Sequence, residues 1–204
     1  MKRSFFRLVV LFALVGGLGA SVASLASEPL TCSLSVSPRK ADSAVKKSDG
    51  GSKGRGSSSS TTTFERNLKY KAVASFHGPA PEKPVMKVWY VGMGNGGKDM
   101  IEVGKAEHPL ELDEKGRATV ELVSPTTKMT KKKTTTQSGG RNSRGGGGTK
   151  SETTGERVTG CVIQVFAGGQ LMKSWASDSR WAKAAKDPSF AIELIDPKSA
   201  TKKK

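Results

Sequence analysis

Apolar and polar residues alternate along much of the chain between residues 31 and 175. Cys32, Leu34 and Val36 alternate with hydroxyl residues, and Met86 and Val88 are separated by a lysine. A repeat of two residues is typical of a β-strand with one buried face. The segments with this character are 31–37, 68–76, 86–90, 100–103, 109–112, 118–123, 158–166, 170–175 and, less regularly, 190–195.

Turn residues separate these segments. Residues 113–116 (Asp-Glu-Lys-Gly) and 167–169 (Ala-Gly-Gly) favour tight turns between neighbouring strands. One short helix is predicted over residues 180–186, capped by Asp178 or Ser179 and stopped at Asp187-Pro188. Seven to nine short strands without helices between them predict an all-β fold, an antiparallel β-sandwich.

Two low-complexity stretches interrupt this pattern, at about residues 38–63 and 125–156. Both are rich in Ser, Thr, Gly and Lys and lack apolar periodicity. Such composition does not bury enough surface to offset the entropy of ordering the chain. We therefore predict that both are disordered insertions between strands of one domain.

The first 26 residues predict export. Lys2, Arg3 and Arg7 precede an apolar stretch, and small residues follow as far as Ala26, where we place the cleavage site. The alternative is an uncleaved membrane anchor. The domain plan is a signal peptide at 1–26, a sandwich domain at 27–197 and a basic tail at 198–204, without a membrane span after cleavage. We therefore place the protein in the periplasm, at the cell surface or outside the cell.

The chain has two cysteines, Cys32 and Cys161. If Gln164 marks the solvent face of its strand, Cys161 points inward, and Cys32 shares the phase of Leu34 and Val36. Two inward cysteines in an exported protein predict a structural disulfide. The alternative is a pair of buried free thiols.

No set of residues with catalytic or metal-binding spacing stands out. The segment 92–99 (Gly-Met-Gly-Asn-Gly-Gly-Lys-Asp) matches nucleotide-binding glycine patterns, but a strand follows it where such sites need a helix. We interpret it as a hairpin turn, and His77 and His108 as surface residues at strand ends. The sequence predicts no cofactor, no metal, no small-molecule substrate and no enzymatic activity.

Basic residues carry the remaining functional signal. The formal net charge is +16, and flexible cationic loops attract polyanions by releasing counterions. The alternative is a solvated basic loop without a ligand. Because the loop has no aromatic residues to stack on bases, we predict no specific nucleic-acid binding. The candidate polyanion contacts are Lys128, Lys131, Lys132, Lys133, Arg141, Arg144 and Lys150.

The C-terminal third resembles a known group of proteins. Residues 160–166 (Gly-Cys-Val-Ile-Gln-Val-Phe), 169–171, 176–177 and 181–185 (Trp-Ala-Lys-Ala-Ala) are similar to uncharacterised exported proteins of Planctomycetes–Verrucomicrobia bacteria. The resemblance covers about residues 158–187. It implies an immunoglobulin-like sandwich and export, and it adds no site.

The sequence thus predicts an exported, non-catalytic binding or structural module of the cell envelope. Its partner is an unknown protein or an anionic surface polymer. The second hypothesis is a polyanion-binding protein that acts through its basic loops. The third is an enzyme of unknown class, which would need a pocket near His77 or His108.

Overall fold

The computed structural model describes residues 28–50, 57–95, 97, 99–136 and 148–195. The predicted signal peptide and basic tail, and Arg141 and Arg144, lie outside these residues. The strands are β1 Thr31–Arg39, β2 Ser43–Gly50, β3 Ser57–Arg66, β4 Lys69–His77, β5 Val85–Gly94, β6 Asp99–Pro109, β7 Arg117–Val123, β8 Thr127–Thr136, β9 Gly148–Gly155, β10 Arg157–Ala167 and β11 Gln170–Ala176.

Two antiparallel sheets form the sandwich. One has the order β1-β4-β7 and the other the order β11-β10-β5-β6. The predicted turn at 113–116 leads from β6 in one sheet to β7 in the other, and that at 167–169 joins β10 to β11 within one sheet. In the first turn, the Asp113 side chain accepts hydrogen bonds from the backbone N–H groups of Lys115 and Arg117, at 2.9 Å each. The predicted all-β sandwich is confirmed.

The main core lies between the two sheets. Alternate residues of both sheets point into it, as the period of two predicts. Cys161 is buried there, whereas Cys32 is half-buried at its edge. The buried strand residues include Ala72, Ala74, Phe76, Met86, Val88, Tyr90, Ala118, Leu122, Val158, Ile163 and Val165.

A second, smaller core covers the outer face of β5 and β10. Trp89 packs against Phe190 with the ring centroids 5.1 Å apart, and Val162 and Trp181 complete the contact. The prediction that Gln164 faces solvent is therefore wrong. Gln164 is fully buried under the C-terminal segment, because β10 is a central strand with both faces covered.

That C-terminal segment contains short turns instead of a regular helix. Three single turns of 3-10 helix span Ser179–Trp181, Ala184–Lys186 and Ile192–Leu194. The Asp178 side chain caps the first turn, as predicted, by accepting a hydrogen bond from the backbone N–H of Arg180. The predicted last strand at 190–195 is not formed; Phe190 and Ile195 are buried by the turns instead.

The described parts of the two low-complexity stretches form a third sheet, so for these residues the predicted disorder is wrong. The strands β2, β3, β8 and β9 pair in this order, all antiparallel. We call this four-stranded unit the projecting sheet. It consists of two β-hairpins that leave the sandwich between β1 and β4 and between β7 and β10.

Candidate functional site

The projecting sheet is built almost entirely from polar residues. Ser and Thr account for 18 of its 36 residues, and it contains eight basic and three acidic residues. Thr suits extended backbone because its branched side chain packs well on a pleated surface. The order of this sheet therefore comes from the backbone hydrogen-bond ladder, which needs no apolar periodicity.

Both hairpins point the same way. Arg66 pairs with Thr127 at the end that joins the sandwich, and Ser57 pairs with Thr136 at the far end. The central strands β3 and β8 match over all ten residues, a length of about 33 Å. Thr136 and Gly148, which end β8 and begin β9, thus lie at the end far from the sandwich.

The consecutive lysines of β8 are divided between the two faces of this sheet, because successive side chains of a strand point to opposite faces. Lys131 lies in register with Thr62 and Lys47. Lys132 lies in register with Thr61 and Glu152. We name the two faces after neighbouring residues of β3, the Phe64 face (with Lys131 and Lys133) and the Thr63 face (with Lys128, Lys132 and Lys150).

On the Thr63 face, acidic residues compensate part of the charge. Glu65 lies 4.0 Å from the Lys46 ammonium and 3.9 Å from that of Lys128, and Glu152 is the cross-strand neighbour of Lys132. Exposed pairs at these distances contribute little stability. They do, however, lower the positive potential that this face presents to an anion.

The Phe64 face carries its positive charge with less compensation. Lys47, Lys131, Lys133 and Arg66 lie on it, together with Asp49. Among the described residues, none of these four basic side chains forms an ion pair within 4 Å. The predicted polyanion contacts that combine most effectively are therefore Lys131 and Lys133, with Lys47, which the sequence analysis did not single out.

The same face has one apolar row at its base. Val45, Phe64 and Met129 are direct cross-strand neighbours on β2, β3 and β8. A cavity of about 530 Å³ opens above them, and Arg66, Lys131 and Arg157 also line it. Sequence reasoning missed this cavity, although these three residues are isolated large apolar residues in otherwise polar stretches.

The predicted disulfide between Cys32 and Cys161 is not formed, and both cysteines are free thiols. Both face the main core, as predicted, but at opposite ends of it. Cys32 pairs with Phe76 of β4. The Cys161 amide donates a 2.9 Å hydrogen bond to Ser177 Oγ, and Trp175, two residues before Ser177, packs against Tyr70 with the ring centroids 5.9 Å apart.

Tyr70 and Phe76 are six residues apart in β4, which is about 20 Å of strand. The inward phase of a cysteine therefore does not determine its position along the strand. Burial raises the pKa of the Cys161 thiol to about 12. It also raises that of Cys32, although the Lys173 charge opposes it. Both thiols are thus protonated at neutral pH and poor nucleophiles.

The glycine-rich segment 92–99 is the predicted hairpin turn. Gly94 pairs with Asp99 across it, and Asn95 and Gly97 adopt positive φ. The strand β6 follows directly, so no helix N-terminus is available for a phosphate.

The two histidines lie apart from this turn. His77 is exposed at the end of β4, as predicted. His108 is half-buried near the end of β6, with its Nε2 enclosed and unpartnered.

The described residues contain no cluster of three or more metal-ligating side chains. Within that part of the chain, no helix is long and apolar enough to cross a membrane. Comparisons with protein families, with curated proteins and with solved structures give no match to this chain. The resemblance to exported Planctomycetes–Verrucomicrobia proteins therefore stays a prediction.

Proposed function

We propose that the protein is a non-catalytic binding module of the cell envelope, whose projecting sheet binds an anionic polymer. The observation that supports this most is the group of Lys47, Lys131 and Lys133 on the Phe64 face, which lacks paired acids among the described residues. An extended polyanion that crosses these strands would exchange its condensed counterions for three fixed ammonium groups, which releases those counterions into solution. Neighbouring Thr hydroxyls would donate hydrogen bonds to its phosphate, sulfate or carboxylate oxygens.

The ligand of this proposal is a polymer recognised by charge density and not by sequence. Phe64 is the only aromatic residue in the four strands of the projecting sheet, so successive bases would find no stacking platform. The cavity of about 530 Å³ is lined by neither His77 nor His108. For that reason we favour the binding module over the enzyme hypothesis.

The test compares two double variants of one strand. Lys131→Thr/Lys133→Thr removes two charges from the Phe64 face, and Lys128→Thr/Lys132→Thr removes two from the Thr63 face. Thr keeps the strand propensity, whereas deletion of residues 128–150 would remove most of β8 and leave β3 paired with β2 alone. Both variants keep the same net charge, so they differ only in the position of the lost cations.

Binding of labelled polyphosphate and heparin is measured over a range of salt concentrations. For the Phe64-face variant we expect the slope of log affinity against log salt to fall by roughly 1.5, since each lost contact removes about 0.7 to 0.9. The Thr63-face variant should change the slope by less than half as much. Equal losses in the two variants would refute the assignment to one face, and absence of retention of the wild type at low salt would refute the proposal.

A further inference from the structure

We infer that the cavity at the base of the Phe64 face binds a single-chain anionic amphiphile, an alkyl chain that ends in a phosphate or carboxylate. This site shares Lys131 with the polymer contacts of the proposed function, but its apolar row is distinct from them. The inference rests on the apolar row, on the cations around it and on the shape of the cavity.

The apolar row is unusual for its surroundings. Val45 is 56% exposed and is one of two large hydrophobic residues that are exposed to this degree among the described residues. Phe64 and Met129 are only partly covered. A row of apolar side chains that stay partly exposed within a Ser/Thr/Lys surface is a candidate contact site.

The row forms a line across the strands. Its three side chains lie on adjacent strands about 4.8 Å apart. The next position in register is Gly155 of β9, which has no side chain. A Cβ there would meet the carbonyl oxygen of Lys128 at 2.3 Å, so glycine is required. The result is a narrow apolar track with an open end, which suits a linear alkyl chain better than a broad membrane surface.

Cations surround this track. Arg66 is two residues from Phe64 on β3, and Lys131 is two residues from Met129 on β8, so each flanks the row on the same face. Arg157 also lines the cavity. The acidic lining residues are Glu65, whose carboxylate is near Lys46 and Lys128 on the Thr63 face, and the exposed Glu156. The charge balance around the track therefore favours an anionic head group.

The size of the cavity agrees with this ligand class. A volume of about 530 Å³ falls within the range of about 300 to 1,000 Å³ typical of small-molecule sites. A bilayer would need a larger exposed apolar patch than three side chains provide. We therefore assign the site to a free amphiphile, and binding to vesicles in preference to monomers would contradict this.

The experiment is calorimetric titration of the full chain with octyl phosphate below its critical micelle concentration. Inorganic phosphate supplies the head group alone, and octyl glucoside supplies the chain with a neutral head. We expect saturable one-to-one binding of octyl phosphate, at least tenfold tighter than either control ligand. Equal affinity for octyl glucoside would show that the site does not select an anionic head group and would contradict the inference. Absence of saturable binding would overturn it.

Matched variants locate the site. Val45→Thr and Val123→Thr make the same isosteric change at two exposed valines, of which Val123 is 53% exposed on β7 and does not line the cavity. Phe64→Thr removes the central side chain of the row.

We expect Phe64→Thr to weaken octyl phosphate binding about tenfold, because less apolar surface is buried. Val45→Thr should have a smaller effect, and Val123→Thr none. None of these changes alters charge, so polyphosphate binding should persist in all three. Loss of polyphosphate binding alone would refute the proposed function and leave this inference standing, whereas equal octyl phosphate affinity in all variants would refute the inference alone.

Discussion

Gln164 joins the C-terminal turns to the sandwich. Its Nε2 donates hydrogen bonds to the backbone oxygens of Ala185, at 2.9 Å, and Asp187, at 2.6 Å. Both bonds lie beside the second core, where Trp89 and Trp181 exclude water. One buried amide thus satisfies two carbonyl groups that end a single 3-10 turn, and buried polar groups are costly when they lose their partners.

We expect Gln164→Leu to lower the free energy of unfolding by about 2 kcal/mol, since two carbonyl groups would lose their donor. Urea unfolding followed by tryptophan fluorescence measures this. The control is Gln170→Leu, at an exposed position in the same hairpin. If the two variants have the same stability, Gln164 does not hold the turns in place.

Buried acids of high pKa make the stability sensitive to alkaline pH. Burial raises the pKa of Cys161 from its ordinary value of 9.0 to about 12, and that of Tyr70 and Tyr90 from 10.0 to about 12. In the folded state these groups keep protons that the unfolded chain releases. Their contribution is therefore fully present below pH 9 and is lost as the pH rises toward 12.

We expect the free energy of unfolding to change little between pH 7 and 8.5 from these groups and to fall steadily above pH 9. Urea titrations under reducing conditions at pH 7, 8.5, 9.5 and 10.5 measure the slope. Cys161→Ala should make the fall just above pH 9 shallower. In the unfolded chain the thiol, with an ordinary pKa of 9.0, loses its proton at a lower pH than the tyrosines, whose ordinary pKa is 10.0. A slope that is unchanged by this substitution would show that Cys161 does not contribute.

At the scale of elements, the strands with alternating apolar residues could be predicted from the sequence, and the projecting sheet could not. In β1 and β4, each inward position is apolar, so the pattern records burial directly. In β3 and β8, Thr lies on both faces and neither face is buried in the core. Their pairing joins residues 61 to 79 positions apart, which no local pattern reveals.

The same limit explains the missed functional residues. Lys131 and Lys133 were selected from a run of charge, but only the strand assignment separates them from Lys132. Lys47 joins them through a register between distant segments. The apolar row has the same origin, since Val45, Phe64 and Met129 come from three strands.

Pairing within the projecting sheet is open to a direct test with Thr62→Pro. Thr62 lies in β3, a central strand of this sheet, and proline there removes a ladder hydrogen bond and is not tolerated in such a strand. We expect tryptic cleavage at Lys131–Lys133 to become at least tenfold faster, while amide exchange protection of β10 stays unchanged. Thr62→Val, which keeps the backbone, should cleave like the wild type. Global loss of protection in β10 would show that the two units unfold together.

At the scale of the whole molecule, the predicted export and the two free thiols together predict the mass of the mature protein before and after reduction. Removal of residues 1–26 takes away three basic residues and no acidic one, so a mature chain from Ser27 carries +13 of the +16. We expect native-host protein to begin at Ser27 and to keep its mass on reduction, because the two thiols lie at opposite ends of the core. An intact Met1 start would refute cleavage after Ala26. A gain of two hydrogens on reduction would require another position for β1.

The match between the two hairpins limits how this protein can change over generations. The inner strands β3 and β8 have ten residues each, and the outer strands β2 and β9 have eight each. An insertion in the strands of one hairpin alone would therefore leave backbone without a partner on the other hairpin. Insertions and deletions in the hairpins should therefore be inherited in pairs, with residues gained in β2 and β3 accompanied by residues gained in β8 and β9. Alignments of descendants would show this as correlated gap lengths in the two regions.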